Sequence, residues 1–175
     1  MSILFKTIKN LFRSNDSFIP KEHKKNEQKS ILEELIKQGE KEANRHNFDG
    51  ALKCFEKAIE IDPHYDYSYG DKALILDKMG RFDESLDMYS KALELNPKNS
   101  ITWYNNGLTY LNLKKIEEAI RCFDNAISVD ESYAKAWYNK GRCLDLQGDS
   151  EKAQVCLNKA RKLDPLLFIK VKKYS

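Results

Sequence analysis

The side chains best suited to hold a metal or attack a substrate are four cysteines, Cys54, Cys122, Cys143 and Cys156, and three histidines, His23, His46 and His64. Zinc and redox sites need such groups at short, regular spacing, as in a CxxC pair. No CxxC occurs, and no histidine stands at ligand spacing from a cysteine. Cys54, Cys122 and Cys156 recur instead at intervals of 68 and 34 residues, which suits packing on a repeated element. Unpaired thiols fit a reducing compartment, so a cytoplasmic location is expected. A Gly-rich phosphate loop, GxSxG, HExxH and DxDxDG are all absent. Carboxylates such as Glu56, Glu60, Glu94, Glu117 and Glu118 fall on expected solvent faces of helices. The expectation is a protein that is not an enzyme, with no metal and no cofactor.

Scarce residues reveal what must position everything else. The prolines Pro63, Pro97 and Pro165, the tryptophans Trp103 and Trp137, and the glycines Gly39, Gly107 and Gly141 all sit 34 or 68 residues apart. Gly80 and Gly148 keep the same ruler, as do Ala51, Ala119 and Ala153, with Ser85 in the remaining slot. Ala58, Ala92, Ala126 and Ala160 form an unbroken column. A fixed period of this size is the mark of a repeat architecture. Four units follow: 32–65, 66–99, 100–133 and 134–167.

Within each unit the apolar spacing is three and four residues, the period of a helix. Trp103, Gly107, Tyr110 and Leu111 line one face, and Ile116, Ala119, Ile120, Phe123, Ala126 and Ile127 line another, with a break at Lys114-Lys115. Each unit is therefore two short helices and a tight turn. Small residues at the eighth and twentieth positions let the helix backbones approach. Proline near the end of the unit stops the second helix. Gly80 and Gly148 supply the turn between helices. Glu131 stands where the third unit would carry its proline, which predicts a more continuous path into the fourth.

Trp137-Tyr138-Asn139-Lys140-Gly141, Gly148-Asp149, Ala153, Ala160 and Leu163-Asp164-Pro165 resemble the tetratricopeptide repeat. So do Tyr69, Ala73, Gly80, Phe82, Tyr89, Ala92 and Pro97, and Trp103, Gly107, Tyr110, Ala119, Phe123 and Ala126. The first unit departs most, with Leu35, Gln38 and Glu42 at family positions. The resemblance implies an all-α, right-handed superhelical solenoid of four helix-turn-helix repeats with a short C-terminal cap. It implies a protein–protein interaction scaffold that cradles a peptide or helix on the concave face. The groove positions it assigns include Tyr67, Leu74, Ile101, Tyr104, Asn105, Leu108, Lys135, Tyr138, Asn139 and Arg142. Asn105 and Asn139 offer amides for a peptide backbone. Lys135 and Arg142 put positive charge at one end, and Glu33 and Glu40 put negative charge at the other. The expected ligand has apolar anchors and an acidic end near the fourth unit. The carboxylate clamp of TPR co-chaperones is matched only in part: Asn105, Lys135 and Asn139 fit, whereas Gly70 and Leu74 do not.

The chain has 175 residues and a net charge of +3. That near balance hides a division. Residues 1–31 carry +4, residues 166–175 carry +3, and the repeats between them carry −4. Nucleic acid is not expected as a partner, because aromatic residues are not interleaved with Lys or Arg runs. No run approaches the about 20 apolar residues of a membrane span, and the apolar start is broken by Lys6 and Lys9, unlike a secretory signal. Residues 1–13 read as a basic amphipathic helix, with Ile3, Leu4, Phe5, Ile8, Leu11 and Phe12 on one face and Lys6, Lys9, Asn10 and Arg13 on the other. It is suited to cap the repeats, to lie on an anionic membrane surface as a peripheral contact, or to support self-association with the thinly covered C-terminal end. Residues 14–30 read as a flexible linker completing a segment 1–31, and 168–175 as a short tail.

Overall fold

The computed structural model describes residues 21–169. Nine helices lie among them. They are α1 (Lys21–Asn44), α2 (Phe48–Ile61), α3 (Asp66–Lys78), α4 (Phe82–Leu95), α5 (Ser100–Asn112), α6 (Ile116–Val129), α7 (Ala134–Leu146), α8 (Ser150–Leu163) and the single turn α9 (Leu166–Ile169). They pack as α1–α2, α3–α4, α5–α6 and α7–α8, and each pair stacks on the next in chain order. No helix among the described residues is long and apolar enough to cross a membrane.

Polar residues 21–30 are not the linker their composition suggests. Helix α1 starts at Lys21 and runs without a break into Ile31, Leu32 and Leu35, which are buried against Ala58. The stretch 21–30 is mostly Lys, Glu and Gln with no Gly or Pro, so helix propensity carries it beyond the packed region. The expected amphipathic helix at 1–13 and the linker at 14–20 lie outside the described residues, as do residues 170–175.

The second helix of each pair buries the sharper apolar stripe. In α6 the stripe is Ala119, Cys122, Phe123, Ala126 and Ile127. The small columns do the expected job. A Cβ on Gly39 would lie 2.6 Å from the Phe55 ring, and one on Gly141 would lie 2.9 Å from Leu157 Cγ. Helix backbones cross there at a distance only glycine permits. Ser85, the polar member of the alanine column, is buried but satisfied, since its hydroxyl donates to the Ala73 carbonyl at 2.9 Å. All four cysteines are buried free thiols. Burial pushes Cys122 up to about 12 and Cys143 up to about 11, far from a reactive thiolate.

The turns are more uniform than their sequences. Gly80 and Gly148 take φ of +74° and +85°. His46 and Lys114 occupy the same slot at φ 60°. In each case the residue after the left-handed one donates back across the turn, as Arg81 N–H does to Leu76 C=O at 2.9 Å and Lys115 N–H does to Tyr110 C=O at 2.9 Å. This is the hydrogen-bonded helix end that a left-handed residue makes possible.

Proline is not required to end the second helices. Asp62, Asn96, Asp130 and Asp164 all sit one residue before the proline column, in extended backbone. Each side chain accepts an N–H two residues on: His64, Lys98, Ser132 and Leu166, at 2.9 to 3.2 Å. That local turn competes with helix and stops it. The third unit, which lacks proline, therefore breaks at Asp130 like the others, and the continuous path expected from Glu131 is absent. The next repeat is then stitched on by an aromatic donor. Tyr69 hydroxyl reaches Pro63 C=O at 3.2 Å, Trp103 Nε1 reaches Pro97 C=O at 2.9 Å and Trp137 Nε1 reaches Glu131 C=O at 3.0 Å.

Candidate functional site

Alternate helices of a stack of antiparallel pairs run the same way, so α1, α3, α5 and α7 form one face of the molecule. On α3 and α5 three large apolar side chains are held out of the core: Tyr67 is 53% exposed, Leu74 37% and Ile101 59%. They sit at the second and ninth positions of their repeats, where the helix faces away from its partner. Gly70 lies between them, and a Cβ there would meet only Thr102 Oγ1, at 3.7 Å. The middle of this face is therefore apolar and open.

Its first half is acidic on balance, with Glu33, Glu40, Asp71 and Asp77 against the exposed Lys37 and Lys78. Glu33 and Glu40 are exposed on α1. Asp71 is half-buried on α3, and burial, with the Glu40 carboxylate adding to it, pushes its carboxyl up to about 6. Asp77, one helical stretch further on, is committed to the scaffold. Its Oδ2 accepts the Thr109 hydroxyl at 2.7 Å and ties α3 to α5.

Not all of the expected groove residues face outward. Tyr104 and Leu108 pack onto the cluster of Ala119, Phe123 and Cys143. The Tyr104 ring lies 5.0 Å from Tyr133 and 5.8 Å from Phe123. Its hydroxyl accepts a hydrogen bond from Asn139 Nδ2 at 3.1 Å, and the same amide donates to Lys135 C=O at 3.2 Å. The Asn139 amino group is thereby spent within the protein, leaving its carbonyl oxygen for any ligand. Asn105 is half-buried and its side chain has no hydrogen bond among the described residues.

The far end is cationic and aromatic. Lys135 and Arg142 are exposed on α7. The Arg142 guanidinium lies over the Tyr138 ring at 5.9 Å, and the Phe168 ring meets Tyr138 edge-on at 5.3 Å. Arg161 lies over Phe168 at 4.7 Å. Phe168 belongs to the short C-terminal cap, and it packs against the last repeat at this end of the face. Its separation from Tyr138 by 30 residues, outside the 34-residue ruler, is why the period gave no hint of it.

Tyr67 and Leu74 are thus exposed on α3 and Ile101 on the neighbouring α5, while Lys135 and Arg142 are exposed on α7 with Arg142 over the Tyr138 ring. The structure turns Tyr104 and Leu108 inward. Asp71 and Gly70, which shape the open middle, were visible only as members of the same helix positions.

A tetratricopeptide repeat model matches residues 67–99, 100–133 and 134–165, and a second model of that repeat matches 46–65. No curated protein matches the chain. Among solved structures, the crystal structure of MamA is similar with a TM-score of 0.72 at 20% identity, over 82% of this chain and 81% of that one. MamA 41-end from Desulfovibrio magneticus RS-1 is similar with a TM-score of 0.69 at 21% identity, over 77% and 76%. Pseudomonas aeruginosa PilF is similar with a TM-score of 0.73 at 22% identity, over 79% of this chain and 63% of that one. At such identities the likeness shows the fold alone, a right-handed solenoid of stacked helix pairs.

Proposed function

This chain belongs to the tetratricopeptide repeat family, whose members are interaction scaffolds, and from that premise we propose that it binds a partner peptide or helix across the face made by α1, α3, α5 and α7. The observation that carries this reading is the exposure of Tyr67, Leu74 and Ile101 on α3 and α5, two helices of that face that touch. Large apolar side chains grouped in this way are unfavourable in water and mark interaction sites. A ligand would set apolar anchors against these three side chains and over the space left by Gly70. Lys135 and Arg142 would receive an acidic end, and the Asn105 amide would meet its backbone. Tyr104, Leu108 and Asn139 act from beneath: they hold α5 and α7 at the spacing the face requires. Tyr138 gives Arg142 a ring to rest on, which restrains the guanidinium before a ligand arrives.

The test is capture of partners on the full chain, identification by mass spectrometry, and titration of the purified partner. Lys135→Glu with Arg142→Glu should weaken binding at least tenfold. Both residues are exposed, so the fold is expected to stand. Equal affinity for the double variant and the parent would refute the assignment.

A further inference from the structure

We infer that the chain's own residues 3–13 occupy the acidic half of this face in cis and screen the exposed patch of Tyr67, Leu74 and Ile101. The inference rests on the binding face proposed above and adds to it a first, built-in occupant. Charge and length argue for it. Residues 3–13 carry Lys6, Lys9 and Arg13 and no acidic side chain whereas the repeats carry −4, and the carboxylates Glu33, Glu40 and Asp71 lie at the end of the face nearest α1. The cationic end, Lys135 and Arg142, is on α7 and would repel the same segment.

Ile3, Leu4, Phe5, Ile8, Leu11 and Phe12 would share one face if the segment winds at about 100° per residue. Leu146, Val155 and Leu166 are exposed too, but they lie on α7 to α9 at the cationic end, so the apolar groups on the acidic half are Tyr67, Leu74 and Ile101. Lys6, Lys9 and Arg13 supply the charge that the carboxylates of this half would attract.

The chain can make the return. Helix α1 starts at Lys21, and its first buried residue is Ile31, with 26–30 exposed. The overhang is thus roughly 15 Å at 1.5 Å per residue. Residues 14–20 can span about 23 Å when extended, enough to turn back over it. Because α1, α3 and α5 run the same way, the overhang projects from the rim that carries Tyr67 and Ile101, each at the second position of its repeat. The segment therefore arrives at the acidic and apolar half without crossing the face. Asp71 gains too, since a cation beside it offsets the repulsion from Glu40 that it suffers in the bare array.

The experiment uses the full chain and a fluorescein-labelled peptide of residues 1–16. Phe5→Glu, Ile8→Glu and Phe12→Glu together should expel the resident segment. Fluorescence anisotropy should then show the peptide binding this triple variant at least tenfold more tightly than it binds the parent. Adding Tyr67→Glu and Ile101→Glu, both at exposed positions, should abolish that binding while circular dichroism stays unchanged. Equal peptide affinity for parent and triple variant would overturn the inference. So would peptide binding that survives the two face substitutions. A parent chain that light scattering shows to be a dimer, and that turns monomeric in the triple variant, would move the segment to a second copy and also overturn it. Sedimentation of the parent with vesicles of phosphatidylcholine and phosphatidylserine, lost in the triple variant, would show a membrane role instead. These failures leave the binding face itself standing, because that reading is tested at Lys135 and Arg142, which the segment does not reach.

Discussion

Gly70→Ala and Gly107→Ala are one substitution in two equivalent helices, and their effects should have opposite signs. In an open helix alanine is favoured over glycine by about 1 kcal/mol. At Gly70 the new methyl would sit 3.7 Å from its nearest neighbour, Thr102 Oγ1, in ordinary contact. The propensity gain then survives almost whole, and stability should rise by about 1 kcal/mol. At Gly107 the methyl would fall 2.7, 3.0 and 3.1 Å from three carbons of the Phe123 ring. Carbon pairs prefer about 3.5–4.0 Å, so ring or helix must give by roughly 0.8 Å at the worst contact. The ring has little freedom to do so. Phe123 is fully buried, with Tyr104 packed beside it. Overpacking of this kind costs about 2–3 kcal/mol, which exceeds the propensity gain and leaves a net loss of about 1–2 kcal/mol. Urea unfolding followed by far-ultraviolet circular dichroism would measure both. A third chain, Gly107→Ala with Phe123→Leu, isolates the cause. It should lose less than the sum of its parts, because the shorter side chain clears the methyl. If Gly107→Ala stabilises as much as Gly70→Ala, or if Phe123→Leu leaves its penalty intact, the close crossing of α5 and α6 is not what requires glycine.

Two other predictions concern the turns and caps. Lys114 holds a left-handed backbone that costs an L-residue about 1–2 kcal/mol, and glycine returns part of this as extra freedom in the unfolded chain. Lys114→Gly should therefore raise stability by about 0.5–1 kcal/mol in the same urea assay; an unchanged or lower midpoint would show that the turn bears no strain. At the start of α8, Asp149 accepts the Lys152 N–H at 3.2 Å and the Lys152 ammonium at 2.6 Å. The Lys152 side-chain bond holds the Asp149 carboxyl below its ordinary value. A carboxylate whose folded value is depressed stabilises the protein above the unfolded value, and that contribution is lost as pH falls through the folded one. The melting temperature of Asp149→Ala should thus lie below the parent's at neutral pH, with the gap closing below about pH 4. A gap that persists in acid would mean the cap acts without its charge.

Much of the architecture was legible because a repeat writes the same constraint several times. Gly39, Gly107 and Gly141 mark helix crossings, and each crossing is real. Other features obeyed the ruler equally well and were passed over. Asp62, Asn96, Asp130 and Asp164 form an unbroken column of helix-stopping side chains, but the neighbouring prolines drew the explanation. His46 and Lys114 share the turn slot with Gly80 and Gly148; the break at Lys114-Lys115 is legible, but its left-handed backbone is not, since hydrogen bonds across the turn rather than the residue type compel it. The run 21–30 looked like linker because it is polar, yet polarity without Gly or Pro does not oppose a helix.

The candidate face was legible in outline only. The helical period says which side of α5 a residue occupies. It does not say how deep the side chain goes. Tyr104 shares the face of Ile101 by period, but its ring finds Phe123 and Tyr133 on the far side of its own repeat and its hydroxyl finds Asn139 in the next, while Ile101 stays 59% exposed. By itself, then, the sequence determined the number of units, the helices within them and the residues that must be small, because those follow from local periodicity and from rules on Gly, Pro and apolar spacing. Tertiary structure alone decided which groove side chains remain exposed, that Asp71 is crowded by Glu40, that Phe168 extends the cationic end, and that Gly70 has room where Gly107 has none. Each of these depends on distances between helices that are far apart in the chain. Such distances arise only when the repeats close on one another.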